Sequence, residues 1–389
     1  MYLKPNEKLE KYFLYDKISE HQINISTQKL INHLKSKTKL NLNSYNIVCD
    51  IPAHVNIKIL ESMNPKKSRG LGCFIGMVIG DALGAPLEFA KLNYNPKIIQ
   101  THMSRAEKFN LKAGQFTDDT SMGLCLTDSL LLHGKFDPND VMLRYLAWWY
   151  CGYNNSFVYD HTNISKQSVG LGGNISGSFN EFIKNGNAYT KHGTINTSGN
   201  GSIMRNAPIP VAYLDNPSYA VKIAHLQSKC THQGDEAAEC ASILTWICVC
   251  WINNSTVDLK IILNNYKPIL SNTNIQKLLT STGDWNWQNS NFRYNESRAN
   301  AQPEYIGSYS TDCLAMCLHI LYYTDNFFDA LVKAVNLGGD ADSVGSVTGQ
   351  LAGAKYGYNS IPIEWIQSIF YWNNTLLYKA HLLYDSNFQ

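Results

Sequence analysis

The sequence feature that most constrains the fold is a pair of segments with a glycine at every fourth position. Residues four apart lie on one face of an α-helix, so each segment predicts a helix with a glycine stripe. Glycine inside a helix costs about 0.5–1 kcal/mol relative to alanine, and close approach of two helix backbones offsets that cost. We therefore expect the two helices to pack together at the centre of the protein. The stripes are Gly72, Gly76, Gly80, Gly84 and Gly345, Gly349, Gly353.

This packing also makes a prediction about acidic residues near the stripes. Asp81 and Glu88 lie in or just after the first stripe, and a second acidic group lies just before the second stripe. A central helix contact would bring four carboxylates near one another: Asp81, Glu88, Asp340 and Asp342.

Membrane helices pair through the same glycine spacing, which is the alternative interpretation. Neither stripe belongs to a run of the length and apolarity that a membrane span requires, and the first residues of the chain are charged where a signal peptide is apolar. We expect a cytoplasmic protein that does not bind a membrane.

The rest of the chain carries mostly helical apolar patterning, and strand-like alternation is scarce. The predicted fold class is all-α, with a compact multi-helix body over residues 70–389 and loops near residues 100–117, 151–170, 185–205 and 284–310. The predicted helices are Gly72–Leu83, Ser121–Leu132, Pro138–Tyr150, Gly177–Lys184, Tyr219–Cys230, Asp235–Ile252, Leu259–Leu263, Thr311–Tyr322, Asn326–Val335 and Ser343–Tyr356.

Charge divides the chain into two unlike parts. The 33 basic and 31 acidic side chains give a net charge of +2, which argues against a dedicated nucleic-acid binder, and a 44% hydrophobic chain is too apolar for disorder. Residues 1–69 nevertheless carry a net charge of +6, and residues 70–389 a net charge of −4. We predict a basic N-terminal extension, with helical apolar spacing over Glu10–Glu20 and Thr27–Leu34, followed by the larger body.

Asp118 and Asp119 are adjacent carboxylates between Thr117 and Thr120, directly before a predicted helix. Such residues commonly cap a helix and complement its dipole. Capping requires only one carboxylate, however, and a second one beside it repels the first unless a cation lies between them.

A second acidic pair, Asp340 and Asp342, precedes Ser343 and the second glycine stripe. An extended backbone around Ala341 would point both carboxylates at one locus. The two clusters together offer four carboxylates and three hydroxyls, which are hard oxygen ligands suited to Mg²⁺ or Mn²⁺. A site for two metal ions is the simpler interpretation, and two unrelated capped helices are the alternative.

Three glycine-rich loops and one histidine are further candidates for a ligand site. Glycines let backbone N–H groups approach anions such as phosphates, particularly at helix N-termini. No loop matches a phosphate-binding motif, so ordinary turns stay the alternative, as does a capping role for His232. Beyond Gly338 and Gly339, the candidates are Gly170, Gly172, Gly173, Asn174, Ser198, Gly199, Asn200, Gly201, Ser202 and His232.

Taken in order, five motifs over residues 72–357 resemble the ADP-ribosylglycohydrolase family. No single motif would be specific, but their order along the chain is. They are Gly72–Glu88 (GCFIGMVIGDALGAPLE), Phe116–Met122 (FTDDTSM), Gly199–Arg205 (GNGSIMR), Thr231–His232, and Asn336–Ser343 (NLGGDADS) followed by Gly349–Gly357 (GQLAGAKYG).

The resemblance implies an all-α fold with a dinuclear Mg²⁺ centre, in some members Mn²⁺, that hydrolyses the bond between ADP-ribose and a protein side chain. Glu88 matches a family glutamate on a mobile loop near the metals. The loops Gly170–Asn174 and Ser198–Ser202, with His232, resemble positions that contact ADP-ribose. The implied metal ligands are Thr117, Asp118, Asp119, Asp340, Asp342 and Ser343, the last at a position where many members have threonine.

The implied reaction agrees with the residues present. Cleavage at the anomeric carbon passes through an oxocarbenium-like transition state that metal ions and carboxylates stabilise. A guanidine nitrogen leaves poorly until it is protonated, so one carboxylate must act as acid or base. The candidates are Glu88, Asp118 and Asp342, and the sequence does not choose among them. The overall resemblance favours an arginine linkage over a serine linkage.

The extension over residues 1–69 is absent from the shortest family members. Some members that protect against ADP-ribosyltransferase toxins carry an extension of similar position and length that blocks the toxin's active site, which gives one hypothesis for this one. The alternative is a small helical subdomain that stabilises the hydrolase. Two other functions stay open: a binding protein that sequesters a toxin, with hydrolysis secondary, and a metal phosphohydrolase acting on nucleotides.

Overall fold

The computed structural model describes residues 58–61, 63–157, 160, 162–163, 167–194, 196–270, 272–293, 295, 305–386 and 388. Across these residues the chain forms α-helices and short 3-10 turns, with two isolated β-bridges and no strand. The predicted all-α class is confirmed. Most of the N-terminal extension, including Glu10–Glu20 and Thr27–Leu34, lies outside the described residues, so its helices and its partner stay predictions.

Every helix predicted over residues 70–389 has a counterpart in the structure. Five helices have no counterpart among the predictions: Lys58–Glu61, Pro208–Ala212, Thr273–Thr280, Ile363–Trp372 and Leu376–Asp385. Short 3-10 turns lie at Ala85–Leu87, Glu107–Phe109, Asn200–Ser202, Gly283–Trp285 and Tyr358–Ser360. The helices are α1 Lys58–Glu61, α2 Pro65–Gly84, α3 Asp118–His133, α4 Pro138–Cys151, α5 Gly173–Asn185, α6 Pro208–Ala212, α7 Pro217–Lys229, α8 Asp235–Asn253, α9 Leu259–Asn264, α10 Thr273–Thr280, α11 Ser310–Tyr322, α12 Phe327–Val335, α13 Ala341–Tyr356, α14 Ile363–Trp372 and α15 Leu376–Asp385.

Helix α2 begins earlier than its glycine stripe predicts. The side chain of Asn64 accepts a hydrogen bond from the backbone N–H of Lys67 (2.9 Å), and Pro65 occupies the first turn. Counted from there, Pro65–Leu87 is long and apolar enough to cross a membrane, so the expectation that this segment is too short was wrong. Its most apolar stretch is 89% buried inside the protein, as a central core helix requires.

Helices α2 and α13 pack antiparallel through their glycine stripes, as predicted. A Cβ atom at any of the paired glycines would overlap backbone atoms of the facing segment, so the contact is backbone against backbone. At the end nearest the acidic residues, Gly84 contacts the backbone of Ala341 and Asp342. The facing pairs are Gly72 with Gly353, Gly76 with Gly349, and Gly80 with Gly345.

The other helices enclose this central pair. Helices α8, α11 and α12 pack against α13, and α14 and α15 pack against α2. At the start of α2, the buried Lys67 forms a salt bridge with Asp385 at the end of α15, with 3.1 Å between nitrogen and oxygen. The division predicted after residue 69 therefore falls inside α2, and it stays a prediction.

Candidate active site

A buried carboxylate on α2 holds the start of α3. Asp81 accepts hydrogen bonds from the backbone N–H groups of Thr117 and Thr120, each at 2.9 Å, and from the Thr117 hydroxyl at 2.9 Å. Thr117 is the cap position of α3, yet its own side chain makes no capping hydrogen bond. The cap is therefore supplied by Asp81 from another helix. Asp118 and Asp119 follow in the first turn of α3.

The Thr117 hydroxyl marks the point where three helices bring carboxylates together. Besides Asp81, it lies 3.3 Å from an oxygen of Asp119 and 3.4 Å from an oxygen of Asp342. A single hydroxyl donates one hydrogen at a time, so it cannot satisfy all three acceptors. The glycine contact between α2 and α13 places Asp81 and Asp342 close enough to share it.

Six acidic residues form what we call the carboxylate cluster. One oxygen from each of Asp81, Asp119 and Asp342 lies within 4.8 Å of the others, and the same holds for Glu88, Asp340 and Asp342. Asp342 belongs to both groups. Asp118, the sixth member, lies beside Gly170, where a Cβ atom would overlap its carboxylate. The cluster is Asp81, Glu88, Asp118, Asp119, Asp340 and Asp342.

Burial raises the pKa of every carboxyl group in this cluster, and like charges raise the pKa of four of them further. Burial, followed by neighbouring carboxylates, raises the pKa of Asp118, Asp119 and Asp342 well above the usual range. Burial also raises the pKa of Asp81 and of Asp340. The pKa of Glu88 rises to about 8, first through burial and then through the charge of Asp340. In the described part of the chain, no Lys or Arg forms a salt bridge with the cluster.

The donors in the cluster fit hard divalent cations. Oxygen atoms of Asp119 (Oδ1) and Glu88 (Oε2) are buried without a hydrogen-bond partner, which is costly unless another positive group binds them. Carboxylate and hydroxyl oxygens are the ligands that Mg²⁺ and Mn²⁺ prefer. Asp81 is not among the metal ligands predicted from the sequence, although the sequence predicted that it lies near Asp340 and Asp342.

Glu88 reaches the cluster from the loop that follows α2. Its Oε1 atom accepts a hydrogen bond of 2.9 Å from the Tyr305 hydroxyl. The next residue, Phe89, donates its backbone N–H to the carbonyl of Gly339 (2.8 Å), and Gly339 donates to Ala90 (2.9 Å). Glu88 is thereby fixed beside the loop that leads into Asp340. Tyr305 was missed by the sequence analysis.

The loop Ser198–Ser202 reaches the cluster through one side chain. The Asn200 amide donates hydrogen bonds to the carboxylate of Asp340 (2.9 Å) and to the carbonyl of Gly307 (2.7 Å). The two serines face elsewhere: the Ser198 hydroxyl accepts from the backbone N–H of Ala237 at the start of α8 (3.1 Å), and the Ser202 hydroxyl accepts from Ser228 (2.8 Å). Their side chains hold the loop in place.

The loop Gly170–Asn174 lies beside Asp118. Gly170 has a positive φ of 89°, and a Cβ there would overlap the carboxylate of Asp118, so only glycine fits. Gly172 caps α5, and Gly173 begins it with open space around its Cα. The Asn174 amide lies 3.1 Å from where a Cβ of Gly199 would be. The two predicted binding loops are therefore neighbours.

His232 lies beneath the Ser198–Ser202 loop. Its ring approaches Gly199 and Gly201, and its Nδ1 atom is 2.9 Å from the Thr231 hydroxyl. Burial, and then the charge of Arg205, lowers the pKa of His232 to about 3, so the ring is neutral at physiological pH. Ser343 is also buried; its backbone N–H donates to Asp342 (2.9 Å), and its hydroxyl faces the sulfur of Met204.

A separate cavity of about 460 Å³ is lined by other residues. It is lined by residues on both sides of the paired segments 89–93 and 337–339, among them Asn93, Tyr94, Met316, Ile320 and Leu337. None of the six clustered carboxylates lines this cavity. The acidic residues that the sequence analysis singled out therefore lie in the carboxylate cluster and do not line the cavity.

Comparison with known families gives a match over most of the chain. The model of the ADP-ribosylglycohydrolase family matches residues 62–385. A solved structure described as an ADP-ribosylglycohydrolase-related protein complex superposes with a TM-score of 0.65 at 30% identity, covering 83% of this chain and 99% of that one.

Characterised relatives are similar over comparable lengths. ADP-ribosylarginine hydrolase Tri1 of Serratia proteamaculans (strain 568) is 29% identical over 311 residues, covering 80% of this chain and 77% of the relative. Tri1 of Pseudomonas putida (strain GB-1) is 29% identical over 351 residues, covering 88% and 86%. The ADP-ribosyl-[dinitrogen reductase] glycohydrolase of Rhodospirillum rubrum is 26% identical over 304 residues, covering 77% and 90%.

Proposed function

The chain belongs to the ADP-ribosylglycohydrolase family, and from this premise we propose that it is a metal-dependent hydrolase that removes ADP-ribose from modified arginine side chains of proteins. The observation that carries the proposal is the carboxylate cluster, in which four separate segments bring six acidic side chains together with no Lys or Arg salt bridge in the described part of the chain. Arginine is favoured because two relatives are named ADP-ribosylarginine hydrolases.

Two divalent ions would be held by the two groups that share Asp342. Asp81, Asp119 and Asp342 form one group, and Glu88, Asp340 and Asp342 form the other. Thr117, Asp118 and Ser343 stay proposed ligands from the family resemblance. Bound Mg²⁺ or Mn²⁺ would neutralise the repelling carboxylates, polarise ribose oxygens and lower the pKa of a bound water.

Among the side chains, Glu88 is suited to move the proton. Its Oε1 atom is held by the Tyr305 hydroxyl (2.9 Å) and its Oε2 atom has no hydrogen-bond partner, so Glu88 can carry a proton to the leaving guanidine nitrogen. The remaining carboxylates would stabilise the positive charge that develops on the ribose ring in the transition state. The ADP-ribose site would be lined by the ring of His232, which is neutral, and by the backbone N–H groups of Gly172 and Gly173. None of these groups carries a negative charge that would repel the phosphates.

The test is release of free ADP-ribose from an ADP-ribosyl-arginine protein. We expect release that requires Mg²⁺ or Mn²⁺, stops on chelation, and is lost in Asp118→Ala and Asp342→Ala. Asp325→Ala, at an exposed carboxylate away from the cluster, is the matched control and should retain activity. Serine-linked ADP-ribose and free nucleotides are assayed in parallel. A preference for the first would indicate a serine-linkage hydrolase, and a preference for the second would indicate a phosphohydrolase.

We also propose that the N-terminal extension binds an ADP-ribosyltransferase toxin in the cytoplasm, so that the protein confers immunity. The Pseudomonas putida relative aligns with more of this chain than residues 62–385, so part of the extension has a counterpart there. The described cysteines are all free, which suits a reducing compartment.

Deleting residues 1–57 tests the extension while sparing the buried Ile59 and the capping Asn64. We expect the truncated protein to keep its hydrolase activity and lose toxin binding. If toxin binding and protection of cells are unchanged, the extension has another role. Full protection by the full-length Asp342→Asn protein would instead favour sequestration of the toxin, with hydrolysis secondary.

A further inference from the structure

Phe89 is an exposed aromatic ring held in a strained position next to Glu88. Its side chain is 48% exposed, although large apolar residues are usually buried. Its backbone has a φ of 60°, in the left-handed region that bulky side chains rarely adopt and that costs energy to maintain. Strain of this kind persists only where the surrounding structure enforces it, and it often lies at functional sites.

The surrounding structure fixes the ring against the carboxylate cluster. The backbone N–H of Phe89 donates to Gly339, the residue before Asp340. Its ring stacks on Tyr305, with the centroids 5.3 Å apart and the planes inclined by 10°. The Tyr305 hydroxyl in turn donates to Glu88 (2.9 Å). The ring therefore stands beside the carboxylate proposed to meet the leaving group.

A cation already occupies the other face of this ring. The ammonium group of Lys108 lies 4.7 Å from the ring centroid of Phe89, which is within cation–π range. Tyr305 is stacked on one face of the ring, which leaves the opposite face for Lys108. Lys108 is itself exposed and reaches the backbone carbonyl of Glu88 (3.4 Å). It can move into solvent without breaking a buried contact.

We propose that the face of Phe89 opposite Tyr305 is a subsite for the guanidinium group of the modified arginine, and that Lys108 occupies this face until the substrate displaces it. The inference rests on the proposed arginine hydrolysis and adds the feature that recognises the linkage. Guanidinium is planar and weakly hydrated, so it stacks on an aromatic ring better than an ammonium group does. A neutral serine linkage gains nothing from this face.

Phe89→Leu removes the ring while keeping an apolar side chain, and KM is measured with ADP-ribosyl-agmatine as a small guanidinium substrate. We expect KM to rise about 3- to 30-fold, while the inhibition constant of the product ADP-ribose stays unchanged. Phe109→Leu is the matched control, because Phe109 lies 6.1 Å from Phe89 but has no cation over it in the described contacts. It should keep the wild-type KM.

Two further variants separate recognition from positioning of Glu88. Lys108→Met should lower KM for ADP-ribosyl-agmatine about twofold or more, because the competing cation is gone. Tyr305→Phe keeps the stack and removes the hydroxyl, so kcat should fall while KM is retained. A Phe89→Leu protein that loses kcat alone, or that loses affinity equally for a serine-linked substrate, would overturn the subsite.

Failure of the subsite and failure of the proposed function give different results. Release of ADP-ribose with equal KM in the wild type and Phe89→Leu overturns the subsite alone. A wild-type protein that releases nothing overturns the proposed function. In that case the Kd of ADP-ribosyl-agmatine can be read by calorimetry without turnover, and equal values for wild type and Phe89→Leu would overturn the subsite as well.

Discussion

Helix α3 carries two kinds of buried carboxylate, ten residues apart. Asp118 and Asp119 in its first turn belong to the carboxylate cluster, where burial and like charges raise the pKa of each. Asp128 in its third turn is equally buried, and burial alone would raise its pKa as well. The charges of Lys379 and Arg144 instead lower it below the usual value.

The second group, which we call the paired cluster, balances its charges internally. The Lys379 ammonium contacts Asp128 at 2.6 Å, and Arg144 contacts Asp140 at 2.6 Å. The Tyr153 hydroxyl links them, since it donates to Asp128 (2.6 Å) and accepts from Arg144 (2.8 Å). This cluster joins α3, α4 and α15 by contacts that the chain itself supplies.

The difference indicates what each cluster does. A buried carboxylate needs a positive partner. In the paired cluster the partners are Lys379 and Arg144, which are part of the same chain and cannot be removed by a change of solute. The carboxylate cluster has hydroxyl and amide donors but no described basic residue, so its balance depends on what binds. The paired cluster contributes to the fold, and the carboxylate cluster is the site that we propose for the chemistry.

The largest effect is expected from Gly349→Leu. The side chain would be forced into the backbone of Gly76, so the α2–α13 contact would open and separate Asp81 from Asp342. We expect a loss of more than about 4 kcal/mol in the free energy of unfolding, measured by urea denaturation. Gly173→Leu, where the space is open, is the control and should cost little. Wild-type stability of Gly349→Leu would contradict the packing argument.

Next is Asp342→Asn, which removes the charge shared by both metal groups. We expect kcat to fall at least about 10³-fold, because stabilisation of developing charge is lost. The metal-free protein should be no less stable than the wild type, since one repelling buried charge has gone. A large loss of stability with kcat preserved would place Asp342 with the structural residues.

Lys379→Met should behave in the opposite way. It leaves Asp128 without its closest cation, and breaking a buried pair costs about 3 kcal/mol or more. Activity at temperatures well below unfolding should be retained. Adding Asp128→Asn to Lys379→Met should recover much of the lost stability, as a double-mutant cycle in urea would measure. No recovery would mean that the pair is not the unit that matters.

Mg²⁺ should stabilise the wild type but not Asp342→Asn. A ligand that binds only the folded state adds about 2.7 kcal/mol at a free concentration 100 times its Kd. The measurement is the thermal midpoint with and without Mg²⁺, with chelator as the reference. Lys379→Met should show the same Mg²⁺ increment as the wild type. Equal increments in wild type and Asp342→Asn would mean that the ion binds elsewhere.

The smallest effect is a pH dependence of the metal-free protein. The folded protein raises the pKa of Glu88 from 4.5 to about 8, so between these values it holds a proton that the unfolded chain has lost. Stability is therefore greatest at low pH within this window and falls as pH rises, by about 1–2 kcal/mol. Asp128, with its lowered pKa, contributes stability that is lost only as pH falls below its usual range. A stability that rises from pH 5 to 8 would contradict this account.

The central helix pair could be predicted from sequence because its signal is local. Glycines on one helix face carry a cost that few arrangements offset, and the pairing then follows. Helix α14 gives no such signal, since Ile363–Trp372 is rich in β-branched and aromatic residues with modest helix propensity. Its helical structure depends on packing against α2, and that packing cannot be predicted from the residues of the segment alone.

The carboxylates of the site could be predicted, but several of their partners could not. Asp81 has no motif of its own, and its role depends on the backbone of Thr117 and Thr120. The contact between Tyr305 and Glu88 joins residues 217 positions apart. Conversely, the glycines near Ser198 and Ser202 predicted that these serines contact a ligand. In the structure, the hydroxyls of both serines form hydrogen bonds within the protein. Long-range contacts of this kind leave no local pattern.

The glycine contact also limits how such a site can change over evolutionary time. Where two backbones touch directly, side chains elsewhere on the two helices do not set the gap between them, and a side chain at a stripe glycine would break the contact rather than adjust it. The distance between the carboxylates of α2 and those of α13 is therefore set by the contact of the two backbones. This distance would determine which ionic radius the site prefers. Preference among substrates would have to arise in the loops around Phe89 and Gly170, which can vary without disturbing it.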